Sequence, residues 1–215
     1  MTSPCTPGPD CALCPRLTAF REANRALFPG WFHAPVPCFG PRAAPLLIVG
    51  LAPGLRGANR TGRPFTGDFA GTLLYTTLLE SGLARGAYGG SADDGLELTG
   101  ARIVNAVRCV PPDNRPLPAE IAGCNPFLAA ELAAMPNLRA ILVLGRIAHA
   151  AVLRALRLRP SAHPFAHGAT GTLPGGVQLF ASYHVSRYNQ NTGRLTPVMF
   201  QAVMRSVSAS LAGAT

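Results

Sequence analysis

Residues 45–68 read PLLIVGLAPGLRGANRTGRPFTGD, an aliphatic run followed at once by a long loop rich in glycine and arginine. Leu46, Leu47, Ile48 and Val49 have the pattern of a strand buried on both faces, and Gly50 with Ala52-Pro53-Gly54 ends it. The loop from Gly50 to Asp68 carries five glycines and three arginines. Gly54, Gly57 and Gly62 permit bends, Arg56, Arg60 and Arg63 suit phosphate, and Phe65 offers a ring for stacking. Asp68 supplies the sole carboxylate between Gly50 and Leu79. A solvated surface loop is the plain alternative, but loops of this length in compact domains are usually functional.

Outward from this stretch the chain alternates. A helix is expected over 17–28, a proline-rich connection over 31–45, and a helix over 71–81 where Leu73, Leu74, Tyr75 and Leu78 fall at helical spacing. A strand follows over 102–107, then a helix over 118–134 with Pro118 in its first turn and Pro136 closing it. Strands over 140–144 and 177–181 alternate with helices over 145–156 and 196–211. Residues 86–95 are glycine- and aspartate-rich and read as an exposed loop. This order implies a parallel sheet in a layered α/β domain, one domain over 1–215. Ligands bind such sheets beyond the C-terminal ends of the strands. That rule gathers Gly50–Asp68, Asn105 with Cys109, and Ser182-Tyr183-His184-Val185-Ser186 on one edge.

The chain has 215 residues, 48% of them hydrophobic, enough for a full core. Its formal net charge is +9, with 19 basic against 10 acidic residues, and every basic side chain is arginine. Such an imbalance points to a polyanionic partner, nucleic acid first. No run approaches the length of a membrane span and the N-terminus lacks signal-peptide order, so a cytoplasmic, nucleoid-associated protein without membrane contact is expected. In a reducing compartment the six cysteines are better read as metal ligands than as disulfides. Cys11-Ala12-Leu13-Cys14 is a C-x₂-C pair, and Cys109 and Cys124 form a second pair. Four thiolates hold either a [4Fe–4S] cluster or a zinc ion, and spacing does not choose between them. Either would pin the N-terminal segment to the end of the strand over 102–107. Cys5 and Cys38 are left over.

Several segments together resemble the type B, or family 5, branch of the uracil-DNA glycosylases: GLAPGLRGANRTGRPFTGD, NAVRCVPPDNRPLPAEIAGC, LGRIAHAAVLRAL, FAHG and YHVSRYNQNTGRLT. The blocks run from about residue 11 to residue 200, in order and with similar gaps. The resemblance implies a three-layer α/β/α sandwich around a four-stranded parallel sheet. It also implies a four-cysteine [4Fe–4S] cluster and removal of deaminated bases from DNA: uracil, hypoxanthine and xanthine. A neighbouring iron–sulfur branch typically has an acid directly after the first glycine of the first motif, where this chain has Leu51. The departure favours type B and leaves Asp68 as the nearest carboxylate.

On this reading Phe65 stacks on a flipped base, Asn105 reads the uracil O4/N3–H edge through its amide, and Gly50, Leu51, Ala52, Pro53 and Gly54 line the pocket. Cleavage leaves positive charge on the sugar and negative charge on the base, so His184 is expected to donate to the base oxygen and Asp68 to orient water or stabilise the sugar cation. Asn59, Arg60 and Arg63 with Ser186, Arg187, Tyr188 and Asn189 are expected to contact DNA. The enzyme is expected to act as a monomer. The runner-up is a non-catalytic single-strand binder with a structural cluster. A zinc-dependent base deaminase needs an H-x-E motif that the chain lacks.

Overall fold

The computed structural model describes residues 6–213. Cys5, left without a role above, lies outside them. In chain order the elements are α1 (Pro15–Leu27), β1 (Leu46–Gly50), α2 (Ala58–Thr61), α3 (Phe69–Glu80), β2 (Ala84–Arg85), β3 (Glu97–Leu98), β4 (Ala101–Asn105), α4 (Pro118–Ala133), β5 (Ala140–Leu144), α5 (Arg146–Ala155), β6 (Thr170–Thr172), β7 (Gln178–Ser182), α6 (Arg187–Asn191) and α7 (Pro197–Ala212). The main sheet runs β4-β1-β5-β7-β6. Its first four strands are parallel and are the four read from the sequence. The sheet is larger than expected by one strand, β6, which pairs antiparallel with β7. Thr170-Gly171-Thr172 is short, polar and half-exposed, so it carries no apolar periodicity to announce itself. A separate two-stranded ribbon, β2 with β3, closes the base of the 86–95 loop.

The aliphatic run sits at the centre. Every residue of β1 is buried. Alternate side chains point to opposite faces of a strand, so Leu46 and Ile48 enter a core with α3 and α7, while Leu47 and Val49 enter one with α4 and α5. Each buried aliphatic side chain contributes about 1.5–3 kcal/mol. Two such cores on either face of one sheet make the three layers. The chain leaves β1 toward β4 and then crosses back to β5, so the direction of winding switches at β1.

Register fixes what shares the C-terminal edge. Gly50 pairs with Asn105 and Leu144 with Ser182. Past Asn105 the pairing continues, with Ala106 N–H and Val107 N–H donating to the carbonyls of Gly50 and Leu51 at 2.9 Å each, which is why the apolar pattern persists to residue 107. Helix starts are capped as their sequences suggest: Asp68, Ser186 and Thr196 each accept from a backbone N–H three residues on.

Candidate active site

At the end of β1 three side chains close on one point. A Cβ on Gly50 would fall 2.5 Å from Asn105 Oδ1 and 2.6 Å from Phe65 Cζ, so only glycine lets the amide and the ring approach the strand end together. Asn105 is buried, and its Oδ1 has no hydrogen-bond partner among the described residues. Leaving a buried acceptor unsatisfied costs about 1–3 kcal/mol, and in a native fold it marks a group set for a ligand. Phe65 is buried and sits at φ 52°, a left-handed conformation costly to a bulky residue. Its ring lies 5.9 Å from that of His184, tilted by 31°. Ring face, amide and imidazole therefore come together as the sequence places them.

His184 is held through its backbone. Asn189 Nδ2 donates to His184 O at 2.8 Å and Gln190 Nε2 to Val185 O at 2.7 Å. Burial pushes the His184 imidazole down to about 4. It is therefore neutral at physiological pH, with one N–H donor and one acceptor nitrogen. Asp68 lies on the same loop as Phe65 but faces the turn before it. Its Oδ1 accepts from Gly71 N at 3.2 Å, and its Oδ2 sits 2.5 Å and 3.3 Å from where Cβ atoms on Gly57 and Gly54 would be. Burial raises its carboxyl above the ordinary range, partly offset by the backbone N–H groups of Gly71 and Ala70. Asn114, not singled out in the sequence, turns its Oδ1 toward the same Gly54 position at 3.9 Å. Consecutive positive φ values at Asp113 and Asn114 mark this turn, and sequence gives little sign of them.

Beside His184 a cavity of about 270 Å³ is lined by Leu51, Tyr183, Asn189, Arg146 and Arg194 among others. Arg194 lies over the Tyr183 ring at 4.7 Å and Arg146 over Phe165 at 5.8 Å. Neither arginine was drawn from the sequence, since each sits outside the glycine-rich loop. Arg60, Arg187 and Tyr188 are exposed and Ser186 is half-buried. Arg187 rests 5.2 Å over the half-exposed Phe69 ring.

Two expected DNA contacts are corrected. Arg63 is buried and forms a two-pronged pair with Asp94 at 2.8 and 2.7 Å, so it has no phosphate-facing surface. Asn59 is buried with Nδ2 3.2 Å from His33 Nδ1. Asn189 is half-buried, lines the cavity and donates one amide N–H to His184 O. Among the pocket residues, Ala52 packs against the buried cluster of Leu17, Val107 and Cys124. The 86–95 loop is exposed for most of its length, but Tyr88 and Asp94 turn inward.

Behind that wall, Cys11, Cys14, Cys109 and Cys124 line one cavity with an apolar floor of Leu17, Val107 and Phe127. Arg108 N–H donates to Cys124 Sγ at 3.4 Å and Arg21 Nη1 to Cys109 Sγ at 3.6 Å. Burial raises the thiols of Cys14, Cys109 and Cys124, that of Cys109 to about 11. Cys38 stands apart, donating to Glu131 Oε2 at 3.1 Å and accepting from Arg108 Nη1 at 3.1 Å. Among the described residues no three His, Cys, Asp or Glu side chains are grouped to hold a single metal ion.

A sequence model of the uracil DNA glycosylase superfamily matches residues 37–208, which include Gly50, Phe65, Asp68, Asn105 and His184 but not Cys11 and Cys14. The chain belongs to that superfamily. It is 50% identical over 199 residues to a Type-5 uracil-DNA glycosylase of Thermus thermophilus, covering 90% of each chain. It is 43% identical over 212 residues to a Type-5 uracil-DNA glycosylase of Mycobacterium bovis, covering 94% of this chain and 78% of the relative. A Type-4 uracil-DNA glycosylase of Archaeoglobus fulgidus is 38% identical over 115 residues, 53% of this chain and 49% of the relative. This superfamily member is thus a hydrolytic DNA N-glycosylase with an α/β fold. No helix among its described residues is long and apolar enough to cross a membrane.

Proposed function

We propose that this enzyme removes uracil from DNA by hydrolysing the bond between the base and C1′ of its sugar, opening base excision repair. The observation that carries the reading is the buried, unpartnered Asn105 Oδ1 beside the Phe65 ring. Uracil presents an N3–H to that oxygen and an O4 to the amide nitrogen. The nucleotide leaves the stack to reach this pocket, at a cost of a few kcal/mol. Phosphate contacts from the exposed Arg60 and Arg187 and from Arg146 and Arg194 at the cavity offset that cost.

As the C1′–N1 bond lengthens, its electron pair moves onto the base and charge grows on O2. Neutral His184 donates a hydrogen bond there, an interaction stronger in the transition state than in the ground state. Water adds to C1′ and loses its proton to Asp68 or to solvent. With its carboxyl raised by burial and its Oδ2 in the Gly54–Gly57 turn, Asp68 suits that role beside its helix cap. Leu51 gives the mouth an apolar wall that makes no base-specific hydrogen bond, which supports acceptance of hypoxanthine and xanthine as well.

The cysteine cavity fits a [4Fe–4S] cluster held by Cys11, Cys14, Cys109 and Cys124. Thiols from the N-terminal segment and from the stretch after β4 line one apolar-floored space, and these four side chains would hold the cluster. Such a cluster supplies a structural cross-link between the N-terminal segment and the end of β4. The test of function is conversion of duplexes bearing one uracil, hypoxanthine or xanthine into abasic sites, read by alkaline strand breakage. Breakage at uracil supports the reading, and intact strands in every duplex refute it.

A further inference from the structure

Phe65 holds a left-handed backbone conformation, and side chains of the 86–95 loop and of α3 bond to the turn that carries it. Tyr88 Oη donates to the Phe65 carbonyl at 3.1 Å, and Tyr75 Oη donates to the Pro64 carbonyl at 2.5 Å. Arg63 Nε donates to Thr66 Oγ1 at 2.8 Å, so the guanidinium spans the turn on which Phe65 sits. Its other nitrogens grip Asp94 at 2.8 and 2.7 Å, and Asp94 in turn accepts from the N–H groups of Gly89 and Leu96 at 2.9 and 3.0 Å. The guanidinium is ringed by Phe39, Tyr75 and Tyr88, with ring centroids 5.1, 5.6 and 6.0 Å away. Gly71 completes the seat, because a Cβ there would strike both the Phe65 carbonyl and Tyr88 Oη.

From this geometry we infer that Tyr88, Arg63 and Asp94 form a brace that positions the Phe65 ring for the extruded base, making Tyr88 and Asp94 positioning residues of the glycosylase. The inference rests on Phe65 stacking against the base. Two anchors from a loop outside the glycine-rich motif fix the one strained residue whose ring must stay in place while base and sugar separate. A ring already held face-on spends no binding energy on ordering itself. Within the brace Tyr88 bonds to the Phe65 carbonyl and Arg63 to the Thr66 hydroxyl, so it grips the strained residue and the residue after it.

Tyr88→Phe tests it, since the ring and its packing stay while the donor to Phe65 is lost. Two readouts are taken: the single-turnover rate of uracil excision at saturating enzyme, and the ratio of affinities for DNA bearing non-cleavable 2′-fluoro-deoxyuridine over DNA bearing an abasic analogue. The rate should fall on the order of 10-fold, and the affinity ratio should fall with it, while the melting temperature and affinity for undamaged DNA hold. Asp94→Asn should lower the same two quantities, together with the melting temperature. Wild-type rate and ratio in Tyr88→Phe would overturn the inference, whatever happens to stability. A wild type that neither cleaves uracil nor prefers the base-bearing strand would overturn the pocket reading, and the brace with it.

Discussion

Gly50 and Asn105 stand opposite one another at the last register position shared by β1 and β4, with Asn105 Oδ1 2.5 Å from where a Gly50 Cβ would lie. The missing side chain is therefore the space in which the amide meets the Phe65 ring. Gly50→Ala should cost on the order of 10²-fold in single-turnover excision, because it displaces both groups. The added methyl should also cost about 1–3 kcal/mol of stability through overpacking. Comparing excision rate with chemical denaturation in the same variant checks that the first loss exceeds the second.

His184 should set an acid limit. Its imidazole stays neutral in the folded protein down to about 4, against 6.5 for an unperturbed histidine. Between those values the unfolded chain binds more protons, so this group's contribution to stability falls as pH drops from 6.5 toward 4. His184→Gln removes that component, and its melting temperature should decline less steeply over the same range. In the wild type the chemical step should hold steady across neutral pH, where the imidazole keeps its neutral form with one N–H to donate. His184→Ala should lower it on the order of 10²-fold, the scale of one lost oxyanion-type donor.

Arg63 and Arg187 should part company. Arg63→Ala breaks a buried pair and leaves Asp94 without its partner, which should cost about 3–5 kcal/mol of stability. Asp94, whose carboxyl Arg63 holds far below the usual range, would then titrate nearer the ordinary one. Arg187→Ala should leave stability unchanged and weaken binding to all duplexes alike, reducing the salt slope by about one. Thermal melts with salt-dependent binding isotherms separate the two behaviours.

Arg63 and Arg187 differ in burial, which a sequence records only where it leaves a periodic pattern. The buried strands at 46–49 and 140–144 were legible because burial on both faces writes an unbroken aliphatic run. The edge location of Gly50, Asn105 and His184 follows from strand order alone. Arginine in a glycine-rich loop, by contrast, looks the same whether it faces phosphate or a carboxylate 31 residues away. Only tertiary pairing with Asp94 turns Arg63 inward, and only register places Ala52 against the cysteines. Asn114 was hidden for a related reason, because its approach to Gly54 depends on two left-handed residues that no periodicity encodes.

The cysteine cavity makes a prediction independent of the base pocket. Purified protein should be brown, absorb broadly near ~400 nm and carry about four irons per chain. Colourless protein with one zinc per chain would contradict it. Cys38→Ser should keep the colour, since that thiol bonds to Glu131 and Arg108 instead. Cys109→Ser should lose colour and stability together.

The central claim is that Asn105, Phe65 and His184 form the centre where the glycosidic bond breaks. It is tested most directly by the single-turnover rate of uracil release from a single-uracil duplex, measured for the wild type and for Asn105→Ala at saturating enzyme. Rapid release by the wild type is expected, with a fall on the order of 10²-fold in Asn105→Ala and affinity for the abasic product little changed. Equal rates in the two proteins would contradict it.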